Sequence, residues 1–171
     1  MAEPSITSPP VATTWRGAVA GIYVAEDGAG PIVSLQEVEA VAGKGLRGDR
    51  YYDERGTYSA TPGAGRQLTL IEQEALDAAD RDYGVSLGPG QSRRNIVTVG
   101  VALNHLIGKE FLIGQVRVRG MRLNEPCGHL ATLTQRGVVK ALTHRGGLRA
   151  DILDGGLIRV GDAIQPVEPR L

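Results

Sequence analysis

At 171 residues the chain is long enough for one domain with its own apolar core, and 42% apolar residues exclude general disorder. Its 19 basic and 19 acidic residues cancel, leaving no overall field to gather nucleic acid or an anionic membrane, and one Trp, one Phe and five Tyr offer few platforms for stacking bases. A single cysteine, Cys127, excludes an internal disulfide and a cysteine-rich zinc knuckle.

Residues 1–16 are rich in Pro, Ser and Thr without periodicity, which predicts a flexible N-terminal extension ahead of one domain over 17–171. The first ten residues lack the basic and apolar regions of a secretory signal, and no stretch suits a membrane span, so a cytoplasmic protein is expected. A strand is expected over 18–24, a turn over 26–31, and a second and third strand within 32–41. Residues 43–50 form a charged, glycine-punctuated loop, and 51–65 a long loop of the kind that is more often functional than decorative. A strand over 67–71 runs into a helix over 72–80 with acidic residues in its first turn, and Gly84 is its expected C-cap. Strands follow over 95–99, then a hairpin over 110–114 and 116–119, a short helix within 134–142, and closing strands over 149–153 and 161–164. Twenty-four glycines and nine prolines agree with many short strands and tight turns. The fold class is therefore mainly β with short helices (α+β), a barrel with excursions.

Three clusters carry candidate chemistry. In the first, Gly45 and Gly48 let the backbone approach a ligand, and Lys44, Arg47 and Arg50 add anion-binding capacity. It lacks the Lys-Ser/Thr ending of a P-loop, and a turn with solvated charges is the plainer alternative. In the second, Arg93 and Arg94 lead into Asn95. Strand alternation puts Arg93 and Asn95 on one face and Arg94 on the other, which leaves at least one guanidinium free for an anion or for a surface salt bridge. In the third, Cys127 lies between Pro126 and Gly128, two residues before His129. A turn favours exposure, and a nearby imidazole favours the thiolate, a nucleophile or soft-metal ligand. A lone cysteine is more often a small buried hydrophobe. A zinc site with His105 or His144 lacks the usual paired spacing, and there is no Gly-x-Ser-x-Gly for a serine hydrolase.

Taken in order, Gly45-Leu46-x-Gly48-Asp49-Arg50, Arg66-Gln67-Leu68-Thr69-Leu70-Ile71, Arg93-Arg94-Asn95-Ile96-Val97, Pro126-Cys127 and Gly155-Gly156-x-Ile158-x-x-Gly161-Asp162 resemble the MOSC domain family, named after the C-terminal part of molybdenum cofactor sulfurase, in its stand-alone single-domain bacterial type. The resemblance spans roughly residues 17–167. It implies a MOSC-type β-barrel that binds molybdenum cofactor (molybdopterin). It also implies that Cys127 is the molybdenum ligand or a sulfur carrier. The residues themselves add His129 as a candidate catalytic neighbour of that thiol, and Lys44, Arg47, Asp49, Arg50, Arg66, Arg93, Arg94 and Asn95 as candidates to hold the cofactor, its phosphate suiting the arginines.

Two activities follow from the resemblance. One is an oxidoreductase acting on small N-oxygenated (N-hydroxylated) substrates. The other is a sulfur or molybdenum-cofactor carrier that uses a cysteine persulfide without turnover. Either needs a partner, a separate electron donor or a cysteine desulfurase. With only Lys44, Lys109 and Lys140 present, no Schiff-base lysine is assigned and pyridoxal phosphate is not expected.

Overall fold

The computed structural model of the chain describes residues 14–60 and 63–168. The expected extension thus lies, up to residue 13, outside the described residues. In chain order the elements are β1 (Gly17–Val24), β2 (Val33–Leu35), β3 (Glu37–Val41), β4 (Gly45–Leu46), β5 (Leu68–Glu72), α1 (Gln73–Tyr83), β6 (Ile96–Val99), a 3-10 turn (Leu103–Leu106), β7 (Glu110–Ile113), β8 (Val116–Leu123), α2 (Gly128–Leu133), α3 (Val138–Leu142), β9 (Leu148–Asp154), β10 (Gly156–Arg159) and β11 (Ala163–Pro166). None of the described helices is long and apolar enough to cross a membrane.

The main sheet runs β11-β7-β8-β9-β5-β6-β1, and β1 returns to pair with β11 through Gly17–Ile164 and Ala18–Ala163, closing a seven-stranded barrel. Closure removes the open edges that would otherwise invite pairing with another chain. β2 extends from β1, while β10, β3 and β4 form a small sheet of their own. β5 and β6 run parallel, and α1 supplies the crossover that parallel neighbours need.

Strand alternation divides the apolar residues into two cores. Leu68, Leu70, Ile96, Phe111, Ile113, Val118, Leu148 and Ala150 fill the barrel. Ile71 and Val97 face outward instead, under a helical layer contributed by Ala79, Leu130, Val138, Ala141 and Leu142. Each large apolar side chain so buried contributes about 1.5–3 kcal/mol to the folded state.

Four local features differ from expectation. α1 continues to Tyr83 before Gly84 caps it at φ 63°, its N–H donating to the carbonyls of Ala79 and Asp80. The helix expected within 134–142 covers only Val138–Leu142, because Gly137 at φ 91° interrupts the chain before it. A further short helix, α2, begins directly after Cys127, where only a turn was expected. Finally Arg93 has φ 59°, so the chain is not yet extended there and the expected common face of Arg93 and Asn95 does not form.

Candidate functional site

Leu148 and Ala150 point into the barrel, so Arg149 between them points out, and its register partner on β5 is Thr69. These two outward side chains floor a cleft of about 500 Å³ that opens to solvent on the outer wall of the barrel beside α2. Its walls come from the Asp27–Gly30 turn, the long loop before β5, the entry to β6 and the segment leaving β8. The last of these carries the cysteine. Asn124 is buried, and its N–H donates to the Gly147 carbonyl at 2.8 Å. Gly147 (φ 107°) lies so close to the Leu70 carbonyl that a Cβ would collide with it, so the backbone itself seats this segment on the barrel.

Cys127 is exposed in the cleft. Its Sγ lies 3.6 Å from the Tyr58 hydroxyl, and Thr57 Oγ1 lies 3.3 Å from His129 Nε2. Two successive residues of the long loop therefore reach Cys127 and His129. Burial pushes the thiol pKa up. The backbone N–H of Leu130, the Tyr58 hydroxyl, the N–H of His129 and the charge of Arg94 outweigh it, and the thiol ends below its ordinary value. No side-chain hydrogen bond in capping geometry closes from Cys127 onto α2, so the two N–H groups act on the sulfur by proximity. Tyr58 moves the opposite way, raised first by its hydrogen bond and then by its charge interaction with Cys127. The hydroxyl of Tyr58, rather than the His129 ring, is the side-chain group in contact with the sulfur.

Four arginines line the same cleft: Arg50, Arg93, Arg94 and Arg149. Arg50 is buried beside Asp49, at 3.2 Å. Arg93 spends its guanidinium on the carbonyls of Gly30 (3.0 Å), Gly28 (2.9 Å) and Asp27 (3.4 Å). Arg94 is buried, donates to the carbonyls of Gly146, Ser92 and Asn124, and is pushed down to about 10, first by burial and then by repulsion from Arg149. Neither adjacent arginine makes a surface salt bridge; backbone carbonyls solvate them instead. Arg149 is lowered by burial and then by Arg122, and its buried Nη1 has no hydrogen-bond partner among the described residues. A buried donor left unpaired costs about 1–3 kcal/mol, which makes it the natural seat for an acceptor from outside.

The remaining candidate residues fall into two groups. Lys44 and Arg47 stand outside the cleft, 4.4 and 5.3 Å from the centre of the Tyr52 ring, with Arg47 also paired to Glu39 at 2.6 Å. Arg66 stacks at 5.7 Å on the ring of Tyr58, behind the cleft wall, and its buried Nε has no partner. Asp49 and Asn95 spend their hydrogen bonds on the scaffold. Asp49 accepts from the N–H groups of Ala25 and Tyr51, and Asn95 Oδ1 accepts from both the N–H and the hydroxyl of Thr69. Sequence reasoning missed Arg149, Tyr58 and Thr57. An arginine between the apolar neighbours Leu148 and Ala150 was a usable signal for Arg149; nothing local distinguishes Thr57 and Tyr58 from the rest of their loop. Among the described residues, no group of three or more His, Cys, Asp and Glu is placed to hold a metal ion, so a metal here would rest on Cys127 and on ligands brought with it.

The chain matches the MOSC domain family over residues 57–165, which takes in β5 to β11 and the whole cysteine segment. It belongs to the MOSC family. Comparison with curated proteins gives no match. Among solved structures it is similar to the YuaD protein from Bacillus subtilis, at a TM-score of 0.69 and 17% identity over 88% of this chain and 97% of that one. It is similar also to YiiM from Geobacillus stearothermophilus, with a TM-score of 0.66, 17% identity, and 89% and 75% of the two chains covered. YiiM from Escherichia coli gives 0.63 and 14% over 90% and 71%. At such identities the likeness shows the fold alone.

Proposed function

We propose that this MOSC protein binds molybdenum cofactor in the Cys127 cleft, with Cys127 as the molybdenum ligand, and acts as an oxidoreductase on small N-oxygenated substrates. The observation that carries the reading is the pairing of an exposed thiol, lowered in pKa, with an arginine whose buried Nη1 has no partner in the same cleft. The family is associated with molybdenum-cofactor binding, and the donor set here fits that group: a soft thiolate for the metal and guanidinium donors for phosphate oxygens. Arg149 is the residue with a free donor for the phosphate; Arg94 and Arg93 contribute positive charge while holding the walls. When bound, the cofactor would supply the two electrons that convert an N-hydroxyl compound and two protons into the reduced base and water. His129, fixed by Thr57, stands on the cleft wall in reach of a proton for the departing oxygen. The electrons come from a separate donor protein. A lone thiol suits the reducing cytoplasm, where such partners reside.

The exposure of Cys127 supports a second reading, a carrier that holds a persulfide received from a cysteine desulfurase. The deciding experiment loads the protein with cofactor in a competent host and assays reduction of hydroxylamine-type substrates with an artificial electron donor. Turnover that tracks molybdenum content supports the reductase. Sulfane sulfur on Cys127 after incubation with a cysteine desulfurase and cysteine, without turnover, supports the carrier. Protein that retains neither metal nor pterin overturns the reductase, and protein that takes up no sulfane sulfur either overturns both readings.

A further inference from the structure

We infer that Arg94 is a positioning residue for Cys127, its buried guanidinium clamping the segment that delivers the sulfur to the cleft. Only 8% of Arg94 is exposed, and its three recorded side-chain bonds all go to backbone carbonyls. Nε holds Gly146 at 2.9 Å, Nη1 holds Ser92 at 3.2 Å, and Nη2 holds Asn124 at 2.9 Å. One side chain therefore joins the entry to β6, the start of the segment leaving β8, and the entry to β9. Asn124 begins the run Asn124-Glu125-Pro126-Cys127, so the clamp closes just before the cysteine. Gly146 supports the same run from its other side: a Cβ there would stand 2.5 Å from the Asn124 carbonyl oxygen and 2.9 Å from Pro126 Cδ.

A guanidinium buried without a carboxylate is costly, and the carbonyl dipoles offset only part of that cost. A planar fork is the one side chain that meets three separated carbonyls in fixed directions; lysine carries the charge but not the fork. Arg93 offers the contrast. Its carbonyl bonds go to the Asp27–Gly30 turn, a wall without the cysteine. The clamp explains how an exposed thiol on a short turn keeps its station opposite Tyr58. The inference rests on the proposed function only in taking Cys127 as the reacting group.

The test uses the full chain, without cofactor, and converts Cys127, the one cysteine, to a thiocyanate whose nitrile stretching band reports how uniquely the sulfur is placed. The band and the melting temperature are recorded for wild type, Arg94→Lys, Gly146→Ala and the barrel-core variant Ile113→Val. Wild type should give a narrow band. Well below their melting points, Arg94→Lys and Gly146→Ala should give broad bands moved to the frequency of a water-exposed thiocyanate, while Ile113→Val, though less stable, keeps the wild-type band. A folded Arg94→Lys or Gly146→Ala with the wild-type band overturns the inference, as does an equal change in Ile113→Val. If Arg94→Lys does not fold, Arg94→Gln recorded in the same way decides by the same two outcomes, since it removes the fork without placing an atom against the cysteine segment. Cofactor retention by Cys127→Ser is a separate measurement: retention there would remove the proposed function without touching the nitrile result.

Discussion

Two clefts on this barrel invite a ligand, and they differ in what burial has done to their polar groups. The larger spans about 1290 Å³, open solvent included, between Trp15, Val101, Leu106 and Pro166, with His105, Lys109 and Glu110 on its walls. Glu110 there is satisfied by Arg119 at 2.6 Å and by Arg117 at 2.9 Å. The cysteine cleft has less than half that volume, yet it gathers four guanidinium groups, the one thiol of the chain and the unpartnered Nη1 of Arg149. The two buried side-chain atoms without partners among the described residues, Arg66 Nε and Arg149 Nη1, both lie outside the larger cleft. Size marks a space that can be filled; forced proximity of unsatisfied and shifted groups marks one that can react.

The largest effect expected from this contrast is at Cys127. Cys127→Ser should fold with nearly unchanged melting temperature, because the side chain is exposed and serine nearly preserves its volume. It should lose cofactor retention and activity or sulfur transfer completely, since a hydroxyl neither ionises near neutral pH nor binds a soft metal well. Melting and retention measured on one preparation decide it; a folded variant with full function would place the chemistry elsewhere.

Arg149→Met comes next. Loss of a charge-assisted contact should weaken cofactor binding by about 1.5–3 kcal/mol, roughly tenfold to a hundredfold. Melting temperature should hold or rise, because a half-buried cation repelled by Arg122 is removed from among like charges. A fall in stability with unchanged retention would make Arg149 a scaffold residue and erase the difference between the two clefts.

A smaller effect concerns pH. The folded thiol lies below its ordinary value, so alkylation of Cys127 near neutral pH should outpace that of a free cysteine. Its rate should fall only as the pH drops through the depressed value. The sign for stability is the same: ionisation favours the fold, with the full contribution present above the unfolded pKa and lost as pH falls through the folded one. Tyr58→Phe removes the hydroxyl at the sulfur and should move the midpoint upward. A profile identical to wild type would show that the hydroxyl contact does not act on the thiol.

The smallest effect belongs to the larger cleft. His105→Gln should leave cofactor retention unchanged and shift stability by no more than about 0.5 kcal/mol. A measurable loss of retention would mean that both clefts serve one ligand.

Much of the barrel could be read from residue order because alternation is a local property: Val116 and Val118 inward with Arg117 and Arg119 outward is decided within one strand. The Gly84 cap and the acidic start of α1 were legible for the same reason. Within the cleft, Cys127 and His129 could be found as neighbours in sequence, and both line it. Arg93 and Arg94 could be found as well, but not their partners, since a guanidinium can bind an anion, a carboxylate or a carbonyl and only the fold says which is near. Lys44 and Arg47 were legible as charged loop residues and stand outside the cleft, where Tyr52 and Glu39 hold them.

By itself, then, the sequence determined the strand pattern, the family and the turn that carries the one cysteine, because each depends on residues close together in the chain or on an ordered set of short motifs. Only the tertiary structure decided that Tyr58 meets Cys127, that Arg149 lines the same cleft with its Nη1 unpaired among the described residues, and that Arg94 donates to three backbone carbonyls. The physical reason is common to all three. Desolvation and hydrogen-bond satisfaction are set by what the closed barrel brings together across 52 to 69 positions of chain: 69 from Tyr58 to Cys127, and 52 from Arg94 to Gly146.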